Sequence, residues 1–284
     1  MPLMDVEGLT KSYAVAGRRQ PSVVVDNVQF KIERGQTLGL IGESGSGKST
    51  VARMLLRLLD PDSGSIHFDG VDLLTASHHQ MQHLRRRMQI VFQDPYAALN
   101  PRMRIAQIVG EPLAIHAAEE AALRTRAAHR ERISAMLCAV GLDTSALQRY
   151  PHEFSGGQRQ RINIARALIL QPEFVVLDEP VSALDVSVAA QIITLLQRLQ
   201  REFQLTYLFI THSMPLVRYL ADQIVVLQRG RVVEQGGWQQ ICEHPKSPYT
   251  QGLLAATPEL PGVDGPDTDT NDGTGPAATA APAS

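Results

Sequence analysis

Lys48 stands behind Gly42, Glu43, Ser44, Gly45, Ser46 and Gly47 and ahead of Ser49 and Thr50. The spacing is G-x-x-x-x-G-K-[ST], a device for holding phosphate. Its glycines let the backbone fold closely around a polyanion with N–H groups turned inward. A lysine at this position reaches the β- and γ-phosphates, and the Ser49 hydroxyl supplies an oxygen to Mg²⁺. The loop needs a buried strand before it. It also needs a helix after it, whose free N–H groups and positive dipole end add to the anion site. Both flanks fit, since Thr37–Ile41 is an apolar run of strand length and residues 51–59 read as a helix. A nucleoside triphosphate is expected here.

Two further stretches carry chemistry. Phe174, Val175, Val176 and Leu177 form a wholly apolar run that delivers Asp178 to a strand end, with Glu179 and Pro180 next. That is the Walker B arrangement, in which Asp178 stands beside Mg²⁺. Glu179, past the strand, is free to face the γ-phosphate and to orient and deprotonate a water. The other stretch is Ser155, Gly156, Gly157 and Gln158 ahead of an amphipathic helix. Ser155 is an N-cap candidate, and the two glycines leave backbone N–H groups open at a positive helix end. A second anion site about a hundred residues from the first implies one shared site or a site completed by another copy.

The elements that must hold these groups follow from periodicity. Residues 3–9 and 23–32 read as strands about a polar turn over 16–21, and 65–68 as a short strand before the Asp69–Gly70 turn. Residues 78–87 form a basic helix before a strand at 88–92, and 94–100 read as loop. From about 102 to 140 the period is helical: Ile105, Ile108 and Val109 share one stripe, and Ile133, Met136, Leu137 and Val140 another, with Gly141 as a cap. A helix over 158–170 and one over 188–203 flank the Asp178 strand. Buried strands are expected at 205–210 and 224–227, the latter with a hairpin partner at 231–234. Short helices are expected at 216–220, 237–242 and 248–256.

Composition narrows the class. The chain has 284 residues, 44% hydrophobic and 20% charged, which is ordinary for a globular protein. No apolar run is long enough for a membrane span, and the opening MPLMDVEGLTK predicts no secretory signal. Cys138 and Cys242 lack metal-ligand spacing and fit a reducing compartment. The net charge is −2, but the residues from Thr257 onward carry five acidic and no basic side chains. The remainder is nearly neutral, which argues against nucleic acid as a partner. Residues 257–284, rich in Pro, Gly, Asp, Thr and Ala, are expected to be disordered.

Taken together, these motifs make residues 3–256 resemble the ATP-binding subunit of an ABC transporter. The resemblance is narrower still to the peptide/nickel (oligopeptide–dipeptide) importer group. It rests on Gln93-Asp-Pro-Tyr-Ala-Ala-Leu-Asn-Pro-Arg102 and on His244-Pro-Lys-Ser-Pro-Tyr-Thr250 with Leu253 and Leu254. The resemblance implies an α/β fold: a P-loop NTPase core of mostly parallel sheet, an N-terminal antiparallel β subdomain and an inserted helical subdomain. The division expected is a core at about 1–95 and 171–235, a helical subdomain at 96–170 and a C-terminal extension at 236–256. It further implies that Tyr13 stacks on adenine, that Gln93 touches Mg²⁺ or water, and that Asp185 belongs to a loop crossing a dimer interface. By the same resemblance, His212 bonds the γ-phosphate and fixes Glu179. Ser155, Gly156, Gly157 and Gln158 would close over ATP held by a second ATPase subunit, a copy of this chain or a paralogue. The pair would drive two integral permease subunits fed by an extracytoplasmic binding protein, from the cytoplasmic face of the membrane.

The C-terminal element carries Ser247 where histidine is usual, and two positions of the ATPase motifs depart from the family pattern: Ser213 where Asp usually follows the histidine, and Val181 where Thr usually follows the Walker B proline. Neither is a primary ligand, so hydrolysis is expected to survive, with His212 held more loosely. Competing readings are a nickel or other small-solute importer, and an ABC ATPase of DNA repair or translation. A further one is a non-enzymatic ABC-like protein.

Overall fold

The computed structural model describes residues 1–14, 17, 20–116 and 125–256. The expected turn residues 15, 16, 18 and 19, part of the helical stretch at 117–124, and the expected disorder of 257–284 lie outside the described residues.

Two sheets carry the fold. The first is antiparallel, in the order β2-β1-β4-β5, from β1 (Met4–Tyr13), β2 (Ser22–Ile32), β4 (Ser63–Phe68) and β5 (Val71–Asp72). The second runs β10-β9-β3-β8-β7-β6, from β3 (Thr37–Ile41), β6 (Met88–Val91), β7 (Phe174–Asp178), β8 (Thr206–Thr211), β9 (Gln223–Gln228) and β10 (Arg231–Gly237). All its pairings are parallel except β10 with β9. This is the α/β class expected from the sequence.

The central strands are apolar on both faces because each face has its own core. Val175, Leu177, Tyr207 and Phe209 pack into one cluster, and Phe174, Val176, Leu208 and Ile210 into the other. The first cluster includes the helices inserted between β6 and β7: α4 (Ile105–Ile115), α5 (Arg126–Ala139) and α6 (Gly156–Leu168). The second is shared with the antiparallel sheet and with α1 (Lys48–Leu55). α5 closes as the sequence suggests, with Gly141 left-handed at φ 76° and the Leu142 N–H returning to Leu137 O.

Some boundaries move, each for a local reason. α1 ends at Leu55 and not at 59, because Arg57 adopts a left-handed conformation (φ 46°) and the Leu58 N–H bonds back to Arg53 O. An arginine in that role is not legible locally. It is held there by its guanidinium, which donates to Ala76 O at 2.6 Å. The stretch expected as loop at 94–100 contains one short helix, α3 (Pro95–Ala98), started by the Asp94 side chain on the Tyr96 N–H. α6 begins two residues earlier than expected, because Ser155 and Gln158 form a reciprocal capping box. β1 runs to Tyr13, beyond the expected 3–9. The other helices are α2 (His78–Arg87), α7 (Val186–Phe203), α8 (Met214–Leu220), α9 (Trp238–Glu243) and α10 (Pro248–Ala255).

Candidate nucleotide site

Adjacent strands end level with one another and unload their side chains at one edge. Ile41 of β3 pairs with Thr211 of β8, Ile210 with Asp178 of β7, and Leu177 with Val91 of β6. One residue or a few further on stand the phosphate loop, His212, Glu179 and Gln93, in that lateral order. The carboxyl ends of parallel strands are where open α/β sheets bind ligands. A cleft of about 680 Å³ opens there, lined by Glu43, Lys48, Ser49, Gln93, Glu179 and His212 among others.

The loop's backbone is one that only glycine accommodates at Gly47. Its φ is 107°, and a β-carbon there would come within 2.6 Å of Val24 O. Lys48, 5% exposed, donates to Gly42 O at 2.7 Å and Glu43 O at 2.8 Å. Burial pushes its ammonium pKa down, while Glu179 and Asp178 push the other way. A polyphosphate arriving beside this half-desolvated cation meets it at short range and low dielectric. The first turn of α1 holds no acidic side chain, so its N–H groups and dipole are left for an anion.

Ser49 Oγ donates to Asp178 Oδ1 at 3.2 Å. Burial raises the Asp178 pKa, Ser49 counters it, and the neighbouring Glu179 charge raises it further. A half-buried carboxylate and a hydroxyl in contact form a hard oxygen pair, which fits Mg²⁺; that ion takes one or two protein ligands and completes its shell with phosphate and water. No cluster of three His, Cys, Asp or Glu side chains exists among the described residues, so a cage made only of protein is not on offer.

Glu179 is left-handed, with φ 46°, and its N–H bonds to Ile210 O at 3.0 Å. That turn takes the side chain off the strand's alternation and onto the sheet edge. Both carboxylate oxygens are then engaged. Gln93 Nε2 donates to Oε2 at 3.0 Å, and His212 Nδ1 stands 3.3 Å from Oε1. Ser182 Oγ bonds to Glu179 O at 3.1 Å and closes the turn. Ser213 makes no side-chain cap on α8, and Val181 is buried in the core, which is why an apolar residue serves there.

Other expected site residues lie elsewhere. Ser155, Gly156, Gly157 and Gln158 open α6 on the helical segment and do not line the cleft. They lie against the start of α7: a β-carbon on Gly157 would meet Val188 Cγ1 at 2.5 Å. Asp185 caps α7, accepting from the Val188 N–H at 2.9 Å, and this bond holds its carboxyl below the usual range. Tyr13 ends β1, 41% exposed with Lys11 Nζ 5.9 Å from its ring centre, and is not among the described residues lining the cleft. Conversely, Val24, Leu253 and Ala256 line it unforeseen. No local pattern marks Val24 or Ala256, and the C-terminal pattern holding Leu253 does not announce a place at the cleft, since tertiary packing alone brings these segments to the loop.

The family described as ABC transporter matches residues 25–182, and the oligopeptide/dipeptide transporter C-terminal region matches 233–284. The dipeptide transport ATP-binding protein DppF of Escherichia coli is 46% identical over 263 residues, covering 91% of this chain and 77% of its own. The oligopeptide transport ATP-binding protein OppF of Streptococcus mutans is 44% identical over 257 residues, covering 90% and 82%. Among solved structures, the ATP-binding cassette MJ0796, a dimer in a post-hydrolysis state with ADP and Pi, superposes with a TM-score of 0.73. It is 27% identical and the match covers 83% of this chain and 98% of that one.

Proposed function

Since the chain belongs to the ABC transporter family, in its oligopeptide/dipeptide branch, we propose that it is the ATP-hydrolysing subunit of a peptide importer and that the cleft residues perform the hydrolysis. The observation that carries this reading is Glu179 held at the phosphate-loop cleft by Gln93 on one oxygen and His212 on the other.

Lys48 and the N–H groups opening α1 bind the phosphates and meet the charge that builds up as the γ-phosphoryl group leaves. Bound Mg²⁺, held by Asp178, Ser49 and Gln93, would neutralise phosphate charge. Glu179 accepts a proton from water and aims it in line, its carboxylate kept in register by Gln93 and His212. Tyr13 supplies an aromatic face for the base. Ser155, Gly156, Gly157 and Gln158 act on the nucleotide of a second ATPase subunit, with Asp185 at that interface. Ser155, Gln158 and Asp185 are exposed, and none of these residues is among those lining this chain's own cleft, which supports an arrangement of that kind. Closure of the pair excludes water and completes the electrostatic clamp.

Among the described residues no helix is long and apolar enough to cross a membrane, so transport requires separate permease subunits. Their docking surface is a groove of about 240 Å³ between β6 and the helical segment, lined by Ile90, Phe92, Glu111, Ile115 and Arg166. Phe92 is 44% and Ile115 66% exposed, which favours a covering partner. The subunit then works at the cytoplasmic face, peripheral to the membrane, with an extracytoplasmic binding protein delivering peptide. The core is assigned to 1–95 and 171–235, the helical subdomain to 96–170 and the extension to 236–256.

The test is Glu179→Gln. ATP binding is expected to persist, hydrolysis to fall at least about a hundredfold, and ATP to trap a dimer detectable by size-exclusion chromatography. Turnover near the wild-type rate would overturn the assignment of Glu179.

A further inference from the structure

Tyr249 reaches the phosphate loop from the far end of the chain. Its Oη accepts the Glu43 N–H at 3.1 Å. The carbonyl of that same peptide unit, Gly42 O, accepts from Lys48 Nζ at 2.7 Å. A trans peptide points its N–H and C=O in opposite directions. Tyr249 and Lys48 therefore grip one plane from its two sides, and the orientation of that plane sets where the ammonium rests.

The tyrosine is itself fixed. Glu234 of β10 accepts the N–H groups of Lys246 and Ser247 at 2.7 and 3.1 Å, which shapes the turn into α10. Ser247 then caps α10 through the Tyr249 N–H. The rings and methyls of Tyr249, Leu253 and Leu254 pack against the main core. One turn beyond Tyr249, Leu253 lines the nucleotide cleft together with Ala256, in a wall shared with Lys48, Ser49 and Glu179. Two independent contacts, a hydrogen bond to the loop and a wall of the cleft, thus come from one eight-residue helix.

We infer that α10 is a built part of the nucleotide site. The Tyr249 hydroxyl is a positioning residue that presets the Gly42–Glu43 peptide and hence Lys48, and Leu253 faces the bound polyphosphate. This rests on the ATPase reading above and extends it to the C-terminal segment. Without the hydroxyl, the Glu43 N–H is released to water and the peptide plane turns more freely. The loop must then be ordered at the expense of binding.

The test is MgADP affinity by calorimetry on the full chain, with the thermal midpoint measured on the nucleotide-free protein. Tyr249→Phe keeps the ring and removes only the oxygen, and is expected to raise Kd about fivefold, the scale of one lost hydrogen bond. A hydroxyl with a merely structural role would lower the midpoint and leave Kd in place. Leu253→Asp and Leu253→Lys supply a second readout. A residue facing phosphate gives opposite signs, Asp weakening MgADP at least about threefold and Lys holding or tightening it, with the gap shrinking in high salt. Equal changes in both variants, or an unchanged Kd in Tyr249→Phe, would overturn the assignment of α10. Failure of the wild-type chain to bind MgADP would instead overturn the ATPase reading itself.

Discussion

At the scale of single residues, the site is built from groups held away from their preferred states. Glu179 sits in a left-handed conformation that non-glycine residues seldom adopt, and this takes its carboxylate off the strand and onto the edge that lines the cleft. Asp178 is an ionisable group in a half-buried place with one hydroxyl for company. Its raised pKa carries a sign for stability. A carboxyl whose pKa is higher folded than unfolded destabilises the fold above the folded pKa, and the penalty disappears once pH falls below the unfolded value. Asp178→Asn is therefore expected to raise the thermal midpoint of the nucleotide-free protein at pH 7 by about 1–3 °C. The gain should narrow as the pH is lowered. The same variant should lose most of the Mg²⁺-dependent part of its ATP affinity. Calorimetry at several pH values, with and without Mg²⁺, checks both halves. A fall in the midpoint would show that Asp178 is compensated within the protein.

At the scale of elements, four connections converge on one ionic cluster at the opposite end of the strands from the nucleotide. Glu173, just before β7, receives Arg87 at 2.5 Å and Arg34 at 2.7 Å, and Asp69 of the β4–β5 turn bonds both arginines. The cluster ties the antiparallel sheet to the starts of β3, β6 and β7. Arg87, then Arg34, hold the Glu173 carboxyl below its usual range against the cost of burial. For a depressed pKa the sign is the reverse of that for Asp178. The stabilisation is complete above the unfolded value near 4.5 and is lost as pH falls through the folded one. Glu173→Gln is expected to cost about 1 kcal/mol at pH 7, a figure kept small because side chains a third to a half exposed are screened by solvent. Stability curves from pH 7 to 3 should converge with wild type at the acid end. Parallel curves would remove Glu173 as the source.

At the scale of the whole molecule, the nucleotide cleft at the strand ends and the groove along the edge strand β6 adjoin through residues 92 and 93. Phe92 lines the groove and Gln93 the cleft, and Asn163 of α6 holds Phe92 O at 3.2 Å. Arg166, one helical turn on, donates to Ala98 O and to Glu111, each at 2.9 Å, and fixes the helical segment against the same stretch. If a permease element occupies the groove as proposed, its movement would fall one residue from Gln93, whose Nε2 bonds the Glu179 carboxylate. Ile115→Asp is expected to abolish co-purification with two polytopic membrane proteins. It should shift the thermal midpoint by no more than about 2 °C, because the side chain is mostly in water. Retained co-purification would move the docking surface elsewhere.

Phosphate loop, Walker B run and capping signature were all legible in the chain, because each is a local device whose spacing is dictated by backbone geometry. Gly42 to Thr50 can wrap a phosphate only in that order, and Ser155 with Gln158 caps a helix wherever it lies. The unbroken apolar runs of the central strands likewise announced a sheet covered on both faces. What the chain could not disclose depends on contacts distant in sequence. Arg57 closes α1 early because Ala76 O is there to receive it, and Glu179 meets Gln93 only because β6 and β7 end level. Tyr249 finds the Glu43 N–H across 206 positions. Local order follows from the propensities and hydrogen bonds of neighbouring residues. Which carboxylate shares an edge with which amide was settled by how the strands register and pack.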